Sequence, residues 1–165
     1  MMSRLYPSLP LYQRESAESY VSRLACLHQS CARFFCVDFG TTIQAVITGD
    51  DSALAKIEEL AGLSSGALSQ WAIRRGQRTM YEIRHEKLSR ASLRRERVFV
   101  CPRCLQDDVS SSPQLSYLSA HGRTIWMLAS IRTCHIHGVA LEEIGSCSSS
   151  KRGDIASVIQ SALPV

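Results

Sequence analysis

Two short motifs of equal spacing set the strongest bound on the fold of this chain. Residues 101–105 read CPRCL and residues 133–138 read TCHIHG. Cys101 and Cys104 are separated by two residues, and so are Cys134 and His137. A turn with two intervening residues lets both flanking side chains reach one atom, and two such turns supply four ligands, the coordination number of structural zinc. One pair alone arises readily by chance, and cysteine is often only a small buried hydrophobe. Two pairs at matched spacing, with Pro102 stiffening the first and Gly138 relieving the second, point to zinc held by Cys101, Cys104, Cys134 and His137. His135 is an alternative to His137, but its adjacency to Cys134 makes joint ligation geometrically poor.

The 29 residues between the pairs, positions 105–133, make a longer gap than the roughly 15–20 residues of simple ribbons. Doubling a loop costs only about 0.6 kcal/mol, whereas structural zinc contributes on the order of 10–16 kcal/mol in small peptides. The long gap is therefore tolerated. Its first part, with Asp107, Asp108 and the serines 110–112, reads as a surface excursion followed by further structure.

A chain of 165 residues suffices for one ordinary domain, or for two small ones if a metal supports the second. Its apolar content of 45% is that of a folded protein. The opening MMSRLYPSLPLYQRESAESY is broken by Pro7, Pro10 and charges, so it does not read as a secretion signal. No stretch approaches the roughly 18 apolar residues of a membrane span. Seven cysteines is an odd number, which argues against a disulfide framework. Cys26, Cys31 and Cys36 are read as core thiols, and the expected compartment is the cytoplasm.

The net charge of +4 is unevenly placed. From Arg74 to Arg97 nine Arg and Lys residues stand against three Glu residues, so this stretch is strongly basic and the remainder is net negative. Such a run is often only a solvated face. Beside a candidate helix-turn-helix it points toward phosphate binding.

Along the chain, the arm to Gln13 is extended by its prolines. A helix starts at Glu15 or Ser16, with Tyr20, Leu24 and Leu27 on one face. FFCVDFGTTIQAVITGDD reads as a turn and then a helix ending at Gly49, with Asp50, Asp51 or Ser52 capping the next helix. There Leu54, Ile57 and Leu60 face one way, Gly62 stops the helix, and Ser64 or Ser65 caps a second one. Leu68, Trp71 and Ala72 would form the apolar face of that second helix, with Ser69, Gln70 and Arg74 outward. Helix, glycine turn, helix is the helix-turn-helix arrangement. The period then changes: 97–100 suits a strand leading into CPRC, 125–131 leads into TCHIH as helix or strand, and GVALEEIGSC returns as a strand with Val139 and Leu141 on one face. A polar junction and a weak helix end the chain. The expected class is mainly α with a small β component: a helical helix-turn-helix domain over 1–96, a zinc-finger or ribbon-like module over 97–147, and a helical or flexible tail over 148–165.

CPRCL preceded by an Arg-rich strand, and TCHIHGVAL downstream of a Trp-containing segment, resemble the TniQ family of transposition proteins. LPLYQRESAESYVSRLA is similar to the opening of that family, a proline-containing arm followed by Glu-Ser and a Ser-x-x-x-Arg-Leu helix. The resemblance runs from Leu9 to Cys147. It implies an N-terminal helix-turn-helix domain followed by zinc-finger modules, with Cys101, Cys104, Cys134 and His137 matching the zinc ligands. It also implies an adaptor that links a target-recognising element, a DNA site or a CRISPR-type guide-RNA complex, to the AAA+ ATPase of a transposon. The sequence departs from the family where Tyr117 and Trp126 stand nine apart instead of close together. Cys147 falls where a second zinc module would begin, and no cysteine follows it.

Three thiolates and one imidazole fill a zinc shell and favour a structural site over a catalytic one. No nucleophile, base and oxyanion donor group together, so no enzyme is expected. Nucleic acid would be met by Gln70, Arg74, Arg75, Arg78, Arg84, Arg94 and Arg95. The partner surface would be formed by apolar residues near Trp126 and Ile131, and a homodimer is a further state the reading allows. The rival function is a zinc-containing helix-turn-helix transcription regulator.

Overall fold

The computed structural model describes residues 4–147 and 151–163. The serines 148–150, expected as a polar junction, lie outside the described residues. Among the described residues six α-helices and five strands form, and no helix is long and apolar enough to cross a membrane.

Helix α1 (Ala17–Leu27) is the axis of the molecule. Ser16 caps it, its side chain accepting from the Ser19 amide, which satisfies one of the first-turn N–H groups. The expected amphipathic helix is instead buried along most of its circumference: Tyr20, Val21, Leu24 and Ala25 are fully enclosed, and so are Ser19, Ser22 and Arg23. The two serines let other segments come close. Ser19 Oγ accepts from the Gly122 amide at 2.8 Å, and Ser22 Oγ accepts from the Ala156 amide at 2.9 Å. A Cβ at Gly122 would lie 3.3–3.4 Å from Ile155 and Ser19, so the approach suits glycine.

α2 (Ala32–Asp38) and α3 (Ile43–Ile47) pack on α1, and α4 (Asp51–Ala61) packs on α3 and adds to the same core. Two helices occupy the stretch in which one was expected, and α3 ends just before Gly49 as its glycine suggests. Asp50 caps α4 by accepting from the Ala53 amide, and Gly62 closes it in the left-handed conformation at φ 72°, a geometry that costs glycine least. Leu54, Ile57 and Leu60 are buried together.

The second helix of the expected pair does not form. Leu68–Gln70 is a single 3-10 turn, and Ala72 and Ile73 run on as buried extended chain into β1 (Arg74–Arg75). Glu58, buried on α4, holds this segment: its two carboxylate oxygens accept from the Gly66 and Leu68 amides at 2.8 Å each. Those bonds hold the loop across α4 and take up donors a regular helix start would arrange differently.

The basic stretch folds as an antiparallel sheet of β1, β2 (Met80–Ile83) and β3 (Glu86–Ser89), with Tyr81 opposite Leu88. The β2–β3 connection is the pair Arg84 and His85, both at positive φ (47° and 73°). A two-residue hairpin needs this twist and usually signals it with Asn-Gly; here arginine and histidine carry it. Leu93, Ile73 and Ile83 form a small core beneath the sheet.

β4 (Arg97–Val100) pairs with β5 (Glu142–Ser146), with a register shift at Val98/Phe99. The predicted strand over 97–100 forms as read. The returning strand begins later than expected, with Val139 and Leu141 ahead of it. Between them lie α5 (Pro102–Ser111) and two 3-10 turns, Ser116–Ser119 and Thr124–Met127, the second standing where a helix or strand was expected over 125–131. Trp126 is buried at 2% exposure, so it contributes nothing itself to the partner surface expected near it and Ile131. α6 (Ile155–Ala162) forms where the weak helix was read and lies against α1.

A buried polar network joins α1 to the segment between the two ligand pairs. Arg23 is paired with Glu15 at 2.8 Å, both side chains wholly enclosed. Arg23 also donates to the Leu118 carbonyl at 2.6 Å and lies over the Tyr12 ring. Burial raises the Glu15 carboxyl above its ordinary range, against the opposing pull of Arg23. The Thr124 amide bonds Arg14 O, and the Ser16 amide bonds Gly122 O.

Candidate metal centre and the basic sheet

The four residues read from the spacing come together. Cys101 immediately precedes α5, Pro102 opens it, and Cys104 follows one turn later; proline suits this first helical position because its missing N–H would be unpaired there anyway. Cys134 and His137 belong to a tight turn in which the Gly138 amide bonds Cys134 O and the Cys134 amide bonds Val139 O, each at 2.8 Å. Gly138 has φ 64°, and a bridge between Thr133 and Ala140 closes the turn.

The donor atoms of Cys101, Cys104, Cys134 and His137 all lie within 4.8 Å of one another. His137 Nδ1 stands 3.5, 3.3 and 3.7 Å from the sulfurs of Cys101, Cys104 and Cys134, and Cys104 and Cys134 are 3.6 Å apart. With Zn–S of about 2.3 Å and Zn–N of about 2.0 Å, a tetrahedral shell spaces its donors by about 3.5–3.8 Å. The cluster could hold one metal ion and has the donor chemistry that suits zinc. The three cysteines are buried while His137 is half-buried at the outer edge.

Electrostatics separate the thiols. Burial pushes the Cys104 thiol well above its ordinary range. For Cys134 burial also opposes the charged form, but the backbone N–H groups of His137 and Ile136 aimed at its sulfur outweigh it and bring the thiol down to about 6. The turn thus stabilises a thiolate with its own backbone.

Asp107 was read as part of a surface excursion, yet it accepts from His137 Nε2 at 2.9 Å. With Nδ1 facing the sulfurs, Nε2 carries the donated proton, the arrangement by which a carboxylate fixes the tautomer of a metal-binding histidine. Asp108 is likewise engaged: it pairs with Arg123 at 2.8 Å and contacts His121, which stacks on Tyr12. Burial, then the Arg123 charge, drive the His121 imidazole down to about 3 and keep it neutral. A signal for both aspartates was present in the sequence. Pro102 marks a helix start, and positions three and four beyond Cys104 share its face.

Cys147 stands apart from the cluster, a buried thiol pushed up to about 12 by burial. Cys36 behaves the same way, whereas Cys26 and Cys31 are only half-buried.

The arginines and Gln70 of the expected nucleic-acid face have different situations. Arg75, Arg78, Arg84 and Gln70 are exposed, Arg84 lying over the Trp71 ring at 4.7 Å. Arg74 pairs with Asp51 at 2.5 Å. Arg94 donates to the carbonyls of Trp126, Ala129 and Ile131 and lies over Phe99. Arg95 donates to Ile47 O and lies over Tyr81.

No curated protein matches the chain. The TniQ family model matches residues 7–141, a span that includes the N-terminal arm, all four helices of the first half, the basic sheet and the whole Cys/His cluster. With most of its length so matched, the chain belongs to the TniQ family, whose members are non-catalytic proteins of transposition.

Proposed function

We propose that this protein is a zinc-containing adaptor that links recognition of an insertion site to the AAA+ ATPase of a transposon. Family membership over residues 7–141 carries the reading. The donor set supports the adaptor role: Cys101, Cys104, Cys134 and His137 would fill a tetrahedral zinc shell and leave no position for substrate. Zinc in such a shell supplies no chemistry; it fixes α5 against the turn at residues 134–138. The target element is a DNA site or a guide-RNA complex, met on its phosphates.

Phosphate contact is assigned to the outer surface of the basic sheet, where Arg75, Arg78 and Arg84 are exposed. Among the described residues none of the three is in an ion pair. Arg94 and Arg95 are given a supporting role, since their N–H groups serve carbonyls of the protein. Each neutralised phosphate adds about 0.9 to the logarithmic salt slope of binding. Replacing Arg75, Arg78 and Arg84 together by Ala should therefore lower that slope by up to about 3.

The deciding experiment is a pull-down of the transposon ATPase with nucleotide and target DNA present. Association that survives in the zinc-loaded protein is the expected result. Failure to associate, with DNA binding intact, would leave the transcription-regulator reading ahead.

A further inference from the structure

A cavity of about 150 Å³ opens between α1, α3, the start of β4 and the turn before α6. Its lining includes Glu18, Thr48, Arg90, Arg95, Trp126 and Arg152. Two of the buried groups there have donors without acceptors: Arg95 Nη2 and Trp126 Nε1 make no hydrogen bond among the described residues. Trp126 is 2% exposed. Leaving a buried donor unpaired costs about 1–3 kcal/mol, more for a charged one, so two in one cavity call for an acceptor.

Other cations on the wall are already committed. Arg94 serves three carbonyls, Arg97 pairs with Glu143, and Arg123 pairs with Asp108. Arg95 gives Nη1 to the Ile47 carbonyl but keeps Nη2 free among the described residues, and Arg90 and Arg152 remain; Arg90 and Arg95 lie on the stretch before β4 and Arg152 on the turn before α6, so the donors come from two segments. A tetrahedral oxyanion with acceptors in several directions matches that geometry better than a planar carboxylate. At about 30 Å³ per water the volume holds roughly five waters, room for one phosphate group. Against this stands Glu18, a buried carboxyl that burial pushes up to about 7, opposed by Arg95 and Arg152. Its neutral form would donate to an anion; its charged form would compete with one.

We infer that the cleft between Glu18, Arg95, Trp126 and Arg152 binds a single phosphate group. The shared chemistry is the phosphate, borne by a nucleic-acid strand or free in solution. Only the identification with a strand rests on the adaptor's proposed nucleic-acid contact.

The two tryptophans, Trp71 and Trp126, give two indole N–H resonances that can be followed while inorganic phosphate is added to the zinc-loaded full chain at constant ionic strength with chloride. The Trp126 resonance should move saturably and the Trp71 resonance should not. Arg152→Ala, at an exposed position, should weaken phosphate about 10-fold, the loss of one charge-assisted contact, and Glu18→Gln should tighten it. A Trp126 resonance that phosphate leaves in place, that chloride moves equally, or whose affinity neither variant alters overturns the assignment. A second arm uses a short 5′-phosphorylated oligonucleotide. Displacement of inorganic phosphate from the same resonance identifies a strand phosphate, and movement with inorganic phosphate alone identifies the free anion. An oligonucleotide that binds the protein without touching this resonance, while phosphate also leaves it unmoved, refutes the cleft and leaves the nucleic-acid reading standing.

Discussion

Helices α1–α4 close over Tyr20, Leu24, Phe35, Leu54 and Ile57, whereas the module built on β4, α5 and β5 closes over Val100, Leu105, Trp126 and four cysteines. In the first region the cluster itself is apolar, each side chain contributing about 25 cal/mol per Å² buried, with the buried Glu15, Arg23 and Glu58 paired or hydrogen-bonded at its edges, and the helices are capped by Ser16, Thr42 and Asp50. In the second, three positions of the core are thiols gathered around one point, and the regular structure beside them is short. The helical region can hold itself by packing. The second region converges on the Cys/His cluster, and with zinc held there its stability would be coupled to that binding. The two are not independent bodies, because Arg23, Ser19 and Ser22 on α1 bond directly to the segments at 118–122 and 156.

The largest effect that can break this contrast is loss of the metal. Cys104→Ser, or chelation, should remove a term on the order of 10 kcal/mol from residues 97–147. Amide exchange should then lose protection across α5 and β5 while α4 keeps most of its own. Protein purified without chelator should carry one zinc per chain by metal analysis. Zinc-free protein with native exchange protection would show that packing alone holds both regions.

Next comes the joint between them. Glu15→Ala leaves the Arg23 guanidinium buried with its carboxylate gone, and breaking such a pair costs about 3–5 kcal/mol. Because Arg23 also holds the Leu118 carbonyl, the loss should appear in both regions as one lowered transition. If only the α5–β5 module melts earlier, the regions fold separately and the joint is incidental.

Glu18 sharpens the same comparison through pH. Its folded carboxyl is raised from 4.5 to about 7, burial being the cause and Arg95 and Arg152 the opposing terms. A raised acid contributes stability below its unfolded value and loses it as pH rises through the folded one. Glu18→Gln should therefore match the wild type near pH 4 and exceed it at pH 8 by roughly 3 kcal/mol. Denaturation of the two proteins at several pH values checks this; a constant difference would mean that the carboxyl titrates alike in the folded and unfolded chain, and an advantage that shrinks as pH rises would mean that it stays charged and paired.

The same contrast explains what the sequence made legible. The Cys/His cluster is read from spacing because a turn with two intervening residues is a local geometry, and Cys101, Cys104, Cys134 and His137 come together. Helices α1 and α4 carried caps and apolar periods. What failed depended on contacts distant in sequence or on unusual turn residues. The segment at Leu68 is tethered by a carboxylate on α4, ten residues away, and makes only a 3-10 turn. The β2–β3 hairpin turns on Arg84 and His85, which announce nothing. Trp126 looked available because nothing local shows that Arg94 wraps the carbonyls beside it.

The smallest effect concerns Asp107, which the spacing argument left outside the site. It touches no sulfur and would not ligate the metal; its carboxylate accepts from His137 Nε2 at 2.9 Å while lying largely in solvent. Removing such an outer partner typically lowers metal affinity by about 10–100-fold. Asp107→Asn keeps the size and an acceptor oxygen, so the turn at 134–138 should be undisturbed and the loss should sit at the low end of that range. Competition with a chromophoric chelator reads the affinity, and amide exchange in α5 under saturating zinc reads the fold. Weaker zinc with unchanged exchange assigns Asp107 to orienting His137. Unchanged zinc affinity would mean that the imidazole is already fixed by its own turn, so the module would depend on its four ligands and the backbone of that turn.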